Sequence, residues 1–398
     1  MQAHHRRRAP EARSAKVGAQ LLPEAPEEPC FLCDPEVLLA SYRRFLQGFP
    51  GEVTYAVKAN PDAWVLEHLV AAGMQSFDVA SVAEMALVRR IAPGARLHYH
   101  NPIRSRSEIA AARRYGVVSW SIDRMSELDK LGNLDGPGTA GGLRGMEIAV
   151  RLRRPMSGAA YDFGTKFGAD RETAIALLRA VVARGGLPSV TFHPGTQCTD
   201  PGAWRGYVEM AAEVAAAAGC RLHRLNVGGG FPARRGSTGW DLETLFAAIA
   251  QACAAAFGGP ASTPRLVCEP GRALVAEAVH LVVQVKAISG GCVFLDDGIY
   301  GALAEWRDIG TPGRIVALSA GGHPRRGADR LWQVFGPTCD SLDRLEAPVP
   351  LPADLNEGDH LLIGGMGAYT GALVTGFNGY GTTRRVMWAQ SPAARSLA

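Results

Sequence analysis

The stretch VTYAVKANPDAWVLEHLVAAGMQSFDV, residues 53–79, contains a strand-like run, a helix-like run and a second strand-like run. VTYAV is rich in β-branched and aromatic residues, 62–73 has the spacing of a helix, and QSFDV is strand-like again. The alternation continues through the strand-like runs RLHYH, VVSWSI, MEIAVRL, SVTFH, RLNV and RLVCE. Roughly eight strand–helix units over about 230 residues predict a (β/α)8 TIM barrel, with a doubly wound open sheet as the alternative.

The pattern changes after residue 278, where apolar runs are separated by Gly/Pro turns and helical patterns become few. The runs are VHLVVQVKAI, CVFLDDG, RIVALSA, LWQVF and HLLIGG. They predict a C-terminal antiparallel β domain. The predicted division is a disordered tail at 1–28, a strand and helix at 29–45, the barrel at 46–278 and the β domain at 279–398. The segment 29–45 either joins the β domain or leads into the barrel.

The composition is that of a globular chain of 398 residues, with 47% hydrophobic and 20% charged side chains. The net charge of +4 is small, and much of it lies in Arg6, Arg7 and Arg8. Such an arm is more typical of a solvated tail than of a nucleic-acid ligand. There is no apolar run of about 18 residues, so no membrane span is predicted. Because the basic N-terminal stretch lacks the apolar run of a signal peptide, we expect a cytoplasmic protein.

Two local patterns raise the question of a metal site. Cys30 and Cys33 form a CxxC without a second CxxC or paired histidines, so they are better explained as small apolar residues of a strand. His98 and His100 alternate in a strand-like run and therefore share a face, which suits a metal pair geometrically. Because no third ligand accompanies them, we predict no metal.

Polar side chains or glycines follow nearly every predicted barrel strand, at the end where such barrels place their sites. They are Lys58, Asp78, Asn101, Arg151, His193, the glycines at 228–230, Glu269 and the pair Gly271 and Arg272. Each alone has a structural explanation, but their recurrence at one end of the barrel indicates a shared ligand. Lys58 follows an apolar strand, where a buried lysine is costly unless it is paired or chemically used. We therefore expect Lys58 to be buried and reactive.

The residue types narrow the ligand to a phosphate monoester. The glycines at 228–230 let backbone N–H groups approach a phosphate, and Arg272 adds a fixed cation after a second tight turn. A lysine beside a phosphate site indicates a Schiff base with pyridoxal phosphate (PLP). Glu269 is then placed to keep the pyridine nitrogen protonated, which makes the ring an electron sink. His193 alone would be explained as a core histidine. Beside these predicted cofactor contacts, it is expected to stack on the pyridine ring.

Longer motifs in the same order strengthen this interpretation. They are YAVKAN, FDVAS, FHPGTQCTDP, NVGGGFP, CEPGR, GPTCDSLD and GAYTGALVTGFNGYG. The set resembles the fold-type III PLP-dependent decarboxylases over about residues 29–385. The closest likeness is to the ornithine decarboxylase branch, which includes diaminopimelate and arginine decarboxylases. The resemblance implies an alanine racemase-like barrel, PLP as cofactor, and a homodimer.

The resemblance also implies roles for individual residues. Lys58 is the Schiff-base lysine, Glu269 pairs with the pyridine nitrogen and His193 stacks on the ring. The other implied cofactor contacts are Asp78, Arg151, Thr196, Gly228, Gly229, Gly230, Gly271, Arg272 and Tyr369. Thr196 stands where the family usually has serine, so the hydroxyl is retained. Cys339, supplied by the partner subunit, protonates the substrate carbon after carbon dioxide leaves.

Further implied roles concern the dimer and the substrate. Lys166 and Asp343 match a pair that bridges the two subunits. The implied substrate contacts are Tyr300, Asp308, Asp340 and Phe377. Asp308 stands one position before the usual aspartate, while Cys339-Asp340 replaces the Cys-Glu pair of the diaminopimelate enzymes. The resemblance therefore implies a basic amino acid with a distal amine, L-ornithine or L-lysine, for polyamine synthesis or a specialised product.

Several alternative functions stay open. The substrate is alternatively diaminopimelate or a D-amino acid. An amino-acid racemase on the same barrel would carry arginine at the pyridine nitrogen, and Glu269 and Cys339 both argue against it. A catalytically inactive decarboxylase-like regulator would have lost cofactor residues, whereas Lys58, Glu269, Arg272 and Cys339 are all present.

Overall fold

The computed structural model describes residues 26–132, 143–154, 166–234, 241–311 and 313–387, except the side chain of Asp308. Nearly all of the predicted N-terminal tail lies outside these residues. The chain divides into two compact units. Within the described residues, the barrel unit lies in the ranges 39–232 and 241–274, and the β unit lies in 26–38, 233–234 and 275–387. Among the described residues, none of the helices has both the length and the apolar character needed to cross a membrane.

The barrel unit is built on one parallel sheet. After strand β1 (Cys30–Cys33) and helix α1 (Pro35–Gly48), its strand segments are β2 (Glu52–Val53), β3 (Tyr55–Ala56), β4 (Ser76–Asp78), β5 (Arg96–Tyr99), β6 (Val117–Ile122), β7 (Glu147–Arg151), β8 (Leu187–Thr191), β9 (Arg224–Asn226) and β10 (Arg265–Cys268). The sheet order is β2-β10-β9-β8-β7-β6-β5-β4-β3. Only Thr54 separates β2 from β3, so both ends of the sheet lie on one strand and the sheet closes. The predicted TIM barrel is therefore confirmed, and the alternative of a doubly wound open sheet is wrong.

Helices connect successive barrel strands. They are α2 (Ala63–Ala71), α3 (Val82–Ile91), α4 (Arg106–Arg114), α5 (Met125–Gly132), α6 (Arg171–Ala183), α7 (Pro201–Ala218), α8 (Leu242–Ala256) and the short α9 (Arg272–Val275). Most begin at a side chain that accepts a hydrogen bond from a backbone N–H of the first turn, which stabilises a helix start. These N-caps are Ser81, Ser105, Asp170, Asp200 and Asp241. The alternation of strands and helices thus follows the sequence prediction closely.

Polar side chains occupy much of the barrel interior. Alternate positions of neighbouring strands carry Ser76, His98, Ser119, Glu147 and Arg224, which are linked by hydrogen bonds. Barrels of this type usually fill this space with branched apolar side chains. A cavity of about 490 Å³, bordered by first residues of strands such as Arg96 and Arg265, lies at the amino ends. The carboxyl and amino ends of the barrel are therefore joined by polar rather than apolar packing.

The β unit is a separate sheet of mixed direction. Its remaining elements are β11 (Val279–Ser289), β12 (Cys292–Leu295), helix α10 (Trp306–Ile309), β13 (Ile315–Leu318), β14 (Asp329–Phe335), β15 (Val349–Pro352), β16 (His360–Gly364) and β17 (Arg385–Met387). The main order is β13-β16-β11-β12-β14-β15, and β1 pairs with β11 and β17. The five predicted runs are confirmed as strands. β1 joins this sheet, and Cys30 and Cys33 are buried in it.

Two features of the β unit differ from the sequence prediction. The pairings β1–β17 and β12–β14 are parallel, so the sheet is not purely antiparallel. Strands β15 and β17 were not predicted, because VPLP and RVM are short and β15 contains two prolines. β15 lies at the edge of the sheet, where a missing N–H is tolerated.

Candidate active site

The carboxyl ends of the barrel strands bring together many of the predicted site residues. Asp78 and Arg151 end β4 and β7, and Glu269 directly follows β10. His193 and the glycines at 228–230 lie just beyond β8 and β9. A carboxylate oxygen of Asp78, a carboxylate oxygen of Glu269 and a ring nitrogen of His100 all lie within 4.8 Å of one another. His100 was not among the predicted site residues. This end of the barrel is therefore a cluster of titratable groups.

Lys58 lies in the 3-10 turn Val57–Ala59 that follows β3. The expectation that it is buried is wrong: its side chain is exposed, although Val57 and Ala59 are buried. The physical reason is that the strand ends at Ala56, so Lys58 lies in the turn beyond it. Its charge still acts on the cluster. Burial raises the pKa of Asp78 and Lys58 opposes that rise, while for Glu269 Lys58 adds to the groups that outweigh burial and lower the pKa.

Glu269 is the most constrained carboxylate of the cluster. It accepts hydrogen bonds at Oε1 from His100 Nδ1 and from the side-chain amide of Asn226. Burial alone would raise the pKa of Glu269, but the charge of His100 and these hydrogen bonds hold it below its usual range. The backbone N–H of Glu269 donates to the carbonyl of Gly228 at 2.8 Å. Glu269 is therefore a fixed, ionised carboxylate.

Asp78 has the opposite electrostatic character. Burial, and next the charge of Glu269, raise the pKa of Asp78 above its usual range. Its Oδ1 atom is buried and accepts no hydrogen bond from the described residues. A buried carboxyl oxygen without a donor is costly. It therefore marks a place where a ligand that carries a donor fits.

His193 is held as a neutral imidazole. Its Nδ1 accepts the backbone N–H of Gly195 at 3.1 Å. Burial, followed by the charges of Lys58 and Arg151, lowers the pKa of His193 to about 3. An uncharged ring with one nitrogen already engaged is suited to stacking on an aromatic ring. This is consistent with its predicted position, which stays a prediction.

The loops after β8 and β9 approach each other through glycine. Gly228 and Gly230 have φ values of 70° and 83°. A Cβ at Gly228 would lie 2.0 Å from the Phe192 carbonyl oxygen, and one at Gly230 would lie 2.3 Å from that of Gly195. The Cys198 N–H donates to the Gly230 carbonyl at 2.9 Å. This pairing holds the loop that carries Thr196 beside the glycines, in the type of backbone arrangement that receives phosphate.

Three other predicted cofactor contacts, Gly271, Arg272 and Arg151, lie at the ends of barrel strands, whereas a fourth, Tyr369, does not. Gly271 packs on the turn of Lys58, since a Cβ there would lie 2.7 Å from the Cβ of Ala59. Arg272 begins α9 and is buried, and Arg151 lies 5.2 Å from the centroid of the Phe167 ring. Tyr369 belongs to the β unit, where it has a positive φ of 54°. Its predicted phosphate contact stays a prediction.

A second cluster of predicted residues lies within the β unit. The Tyr300 hydroxyl donates to the carboxylate of Asp340, and the Tyr300 and Phe377 ring centroids are 4.9 Å apart. Cys339 is exposed, and its backbone N–H and thiol both lie 3.3 Å from Asn378 Oδ1. The cluster therefore presents a thiol, a carboxylate and two aromatic rings. The side chain of Asp308, a fourth predicted substrate contact, lies outside the described residues.

Asp343 has a different environment from the one that its predicted role suggests. It is buried and accepts the backbone N–H groups of Ile299 and Thr338 at 3.0 and 3.1 Å. The Thr338 hydroxyl donates to it at 2.8 Å. Asp343 thus ties the Tyr300 turn to the Cys339 turn within one chain. Lys166 lies 5.0 Å from the Phe167 ring centroid, and its pairing with Asp343 across a dimer stays a prediction.

Sequence reasoning missed His100 and Asn226. The two histidines of RLHYH do share a face, as the sequence predicts. Both rings contact the Ser119 hydroxyl, at 2.7 Å from His98 and 3.0 Å from His100. The signal in the sequence was the polar alternation of HYH beside SWS, which indicates hydrogen-bonded strands inside a barrel.

Together, the closed barrel and its carboxyl-end cluster define a barrel enzyme with a site built for a phosphorylated cofactor. Residues 37–276 match the family described as pyridoxal-dependent decarboxylase, pyridoxal binding domain. The chain belongs to this family, and it is a PLP-dependent amino-acid decarboxylase. The residues fit the cofactor. Glu269 is a carboxylate held by hydrogen bonds, and Asp78 Oδ1 is buried without a hydrogen-bond donor among the described residues. The loops after β8 and β9 contain glycines with positive φ values.

Individual relatives agree with this assignment. A lysine/ornithine decarboxylase of Selenomonas ruminantium is 31% identical, over 85% of this chain and 84% of that protein. The decarboxylase flvG of Aspergillus flavus is 29% identical, over 93% and 88%. The crystal structure of a lysine/ornithine decarboxylase complexed with putrescine from Vibrio vulnificus superposes with a TM-score of 0.75 at 28% identity, over 90% of this chain and 94% of that chain.

Proposed function

We propose that this enzyme decarboxylates a basic amino acid with a distal amine, L-ornithine or L-lysine, to the diamine. The observation that carries the proposal is the carboxylate of Asp340 beside Cys339, held by the Tyr300 hydroxyl. That hydrogen bond, followed by one from the Leu342 N–H, holds the pKa of Asp340 below its usual range. An ionised carboxylate next to aromatic rings suits an ammonium group, which needs a charge-assisted acceptor when it loses water.

The names of the relatives support the same substrate class. One protein named lysine/ornithine decarboxylase is 31% identical to this chain, and one named ornithine decarboxylase is 30% identical. The crystal structure from Vibrio vulnificus is named as a complex with putrescine, which is a diamine. A substrate with a second carboxylate, such as diaminopimelate, would meet the negative charge of Asp340.

The barrel residues prepare the site for the cofactor. When bound, PLP supplies an electron sink for the charge left on the substrate carbon as carbon dioxide departs. Lys58 would hold the cofactor, and Glu269 would keep its ring nitrogen protonated because it is itself ionised. His193, being neutral, would cover the ring without adding positive charge. Thr196, Arg272 and the glycines at 228–230 would hold the phosphate.

Cys339 is the proposed proton donor to the substrate carbon. Its thiol donates a hydrogen bond to Asn378 Oδ1 at 3.3 Å. We further propose that Cys339 and Asp340 serve the barrel of a second subunit, so that the working enzyme is a homodimer acting in the cytoplasm. The exposure of Cys339 within its own β unit is compatible with that use.

Replacing Asp340 with asparagine tests the substrate proposal. The amide keeps the shape of the side chain but loses the charge, so kcat/KM for ornithine and lysine should fall roughly 10- to 100-fold. The affinity for PLP should not change. The matched control is Asp329→Asn, an exposed aspartate at the start of β14, which should leave kcat/KM as it is.

The assay should also include norleucine, diaminopimelate and the D-enantiomers, with carbon dioxide release as the readout. Activity on norleucine should be weak and insensitive to Asp340→Asn, because norleucine has no distal amine. Efficient release from diaminopimelate or a neutral amino acid, with none from ornithine or lysine, would show that the proposed substrate is wrong.

A further inference from the structure

A chain of hydrogen bonds runs through the barrel from the cofactor site to the amino ends of the strands. Its members, in order, are Glu269, His100, Ser119, His98, Ser76 and Glu52. Two of them are imidazoles, whose nitrogens either donate or accept. The direction of every bond can be assigned from the far end, because each hydroxyl has only one proton to donate.

Glu52 fixes the direction at the far end. It lies 2.6 Å from Arg96 Nη2 and 3.2 Å from Arg224 Nη1. Burial alone would raise the pKa of Glu52, but the hydrogen bonds from Ser76 and Arg96 lower it. Glu52 is therefore an acceptor only, and the Ser76 hydroxyl donates to it at 2.6 Å. Since that proton is used, Ser76 accepts from His98 Nε2–H at 2.8 Å.

His98 is the neutral member of the pair. Burial, and next the charges of His100 and Arg224, lower its pKa. Its Nε2 carries the proton given to Ser76, so its Nδ1 must accept. Arg224 supports this assignment independently, because guanidinium is a donor only and its Nη2 lies 3.4 Å from the same Nδ1. The Ser119 hydroxyl therefore donates to His98 Nδ1 at 2.7 Å.

His100 must then carry a proton on both nitrogens. The single proton of Ser119 is directed to His98, so Ser119 accepts from His100 Nε2–H at 3.0 Å. On its other side, His100 Nδ1 contacts the ionised carboxylate of Glu269, which can only accept. With Glu269 ionised, the directions along this chain place a proton on both nitrogens of His100, which makes it an imidazolium.

Asn226 is a second hydrogen-bond donor to the carboxylate oxygen that His100 contacts, Glu269 Oε1. The Gly228 N–H donates to Asn226 Oδ1 at 2.9 Å, which fixes the orientation of the amide. Asn226 Nδ2 therefore points its N–H groups at Glu269 Oε1. Asn226 Nδ2 also lies 3.0 Å from His100 Nδ1. With His100 doubly protonated, this is a contact between two donors to the same oxygen and not a hydrogen bond. Neither of these donors uses Glu269 Oε2.

We propose that His100 is a positioning residue, doubly protonated, that keeps Glu269 ionised and holds its Oε1 so that Oε2 serves the ring nitrogen of the cofactor. This inference rests on the proposed pairing of Glu269 with that nitrogen. A cation behind the carboxylate makes Glu269 a poor base, so the proton stays on the ring nitrogen. The electron sink is thereby maintained by a residue that does not touch substrate.

The surroundings of His100 favour its charged form. The acidic groups that face it are Glu269 from the end of β10, Asp78 from β4 and Glu147 from β7, and the nearby imidazole of His98 is neutral. Burial alone would lower the pKa of His100, but the charge of Glu269, its hydrogen bond, and the charges of Asp78 and Glu147 raise it above its usual value. These groups therefore favour the imidazolium form of His100.

Nitrogen NMR of histidine-labelled protein tests the protonation state directly. The rings of His98 and His100 are assigned from the signals that disappear in His98→Gln and His100→Gln. In the holoenzyme and after removal of PLP, His100 should show two N–H nitrogens, and His98 one N–H and one bare nitrogen. A neutral His100 ring at neutral pH in both forms would overturn the inference.

The two glutamine variants form a matched pair for function. In His100→Gln the charge behind Glu269 is lost, so the dissociation constant for PLP should rise about tenfold or more, because one unit of pKa is a tenfold change. Without the imidazolium the pKa of Glu269 is higher, so PLP binding should be lost at a higher pH on acidification. In His98→Gln, Ser119 still accepts from His100, and the dissociation constant should stay within about twofold.

Equal effects of the two variants on PLP affinity and on its pH dependence would overturn the inference, because they would show general packing. These measurements need no substrate. Failure of the enzyme to act on ornithine or lysine would contradict the proposed function alone, whereas a neutral His100 would contradict the inference alone.

Discussion

Replacing Lys58 with alanine is expected to abolish turnover, by roughly a thousandfold or more, and to remove the covalent link between PLP and the protein. Lys58 lies in the Val57–Ala59 turn at the end of the first barrel strand. Its charge acts on three groups: it opposes the burial that raises the pKa of Asp78, and it contributes to the lowered pKa values of His193 and Glu269. The measurements are carbon dioxide release and the visible absorbance of the purified protein.

Borohydride reduction of the wild-type enzyme locates the link independently. PLP should be recovered by mass spectrometry on the peptide that contains Lys58. Lys286→Ala is the matched control, because Lys286 is an exposed lysine on β11 of the other unit. It should retain both absorbance and turnover. PLP recovered on another lysine would show that the assignment of Lys58 is wrong.

The barrel could be predicted because its signals are local. Each strand–helix unit repeats within a short window, and parallel strands place their carboxyl ends together. That reasoning predicts Asp78, His193 and Glu269 as site residues, and the structure places all three at the carboxyl end of the barrel. The same reasoning wrongly predicts that Lys58 is buried. The apolar pattern does not show at which residue a strand ends and the following turn begins.

The partners of these residues could not be predicted, because they depend on closure of the barrel. His100 and Glu269 are separated by 169 positions. The alternation in HYH correctly predicts that His98 and His100 lie on one face of their strand. No local pattern predicts that His100 contacts a carboxylate rather than a metal. In the β unit, likewise, Tyr300 and Asp340 are 40 positions apart. β1 and β17 come from opposite ends of the chain, so their parallel pairing had no local signal.

The variants Lys58→Ala and Cys339→Ala should each be inactive alone, and activity should return when the two proteins are mixed. If each site combines the barrel of one subunit with Cys339 of the other, a mixed dimer has one intact site out of two. Random exchange makes half of the dimers mixed, so about a quarter of wild-type activity should return. The measurement is carbon dioxide release after subunit exchange has been demonstrated by mass spectrometry.

The matched control mixes Lys58→Ala with Glu269→Ala, two substitutions in the same barrel. Every site in a mixed dimer then contains one damaged barrel, so no activity should return. Recovery in the Lys58/Cys339 mixture and none in the Lys58/Glu269 mixture would separate a shared site from mere stabilisation by mixing. If neither mixture recovers although subunits exchange, each site is built within one chain, and Cys339 must act on its own barrel.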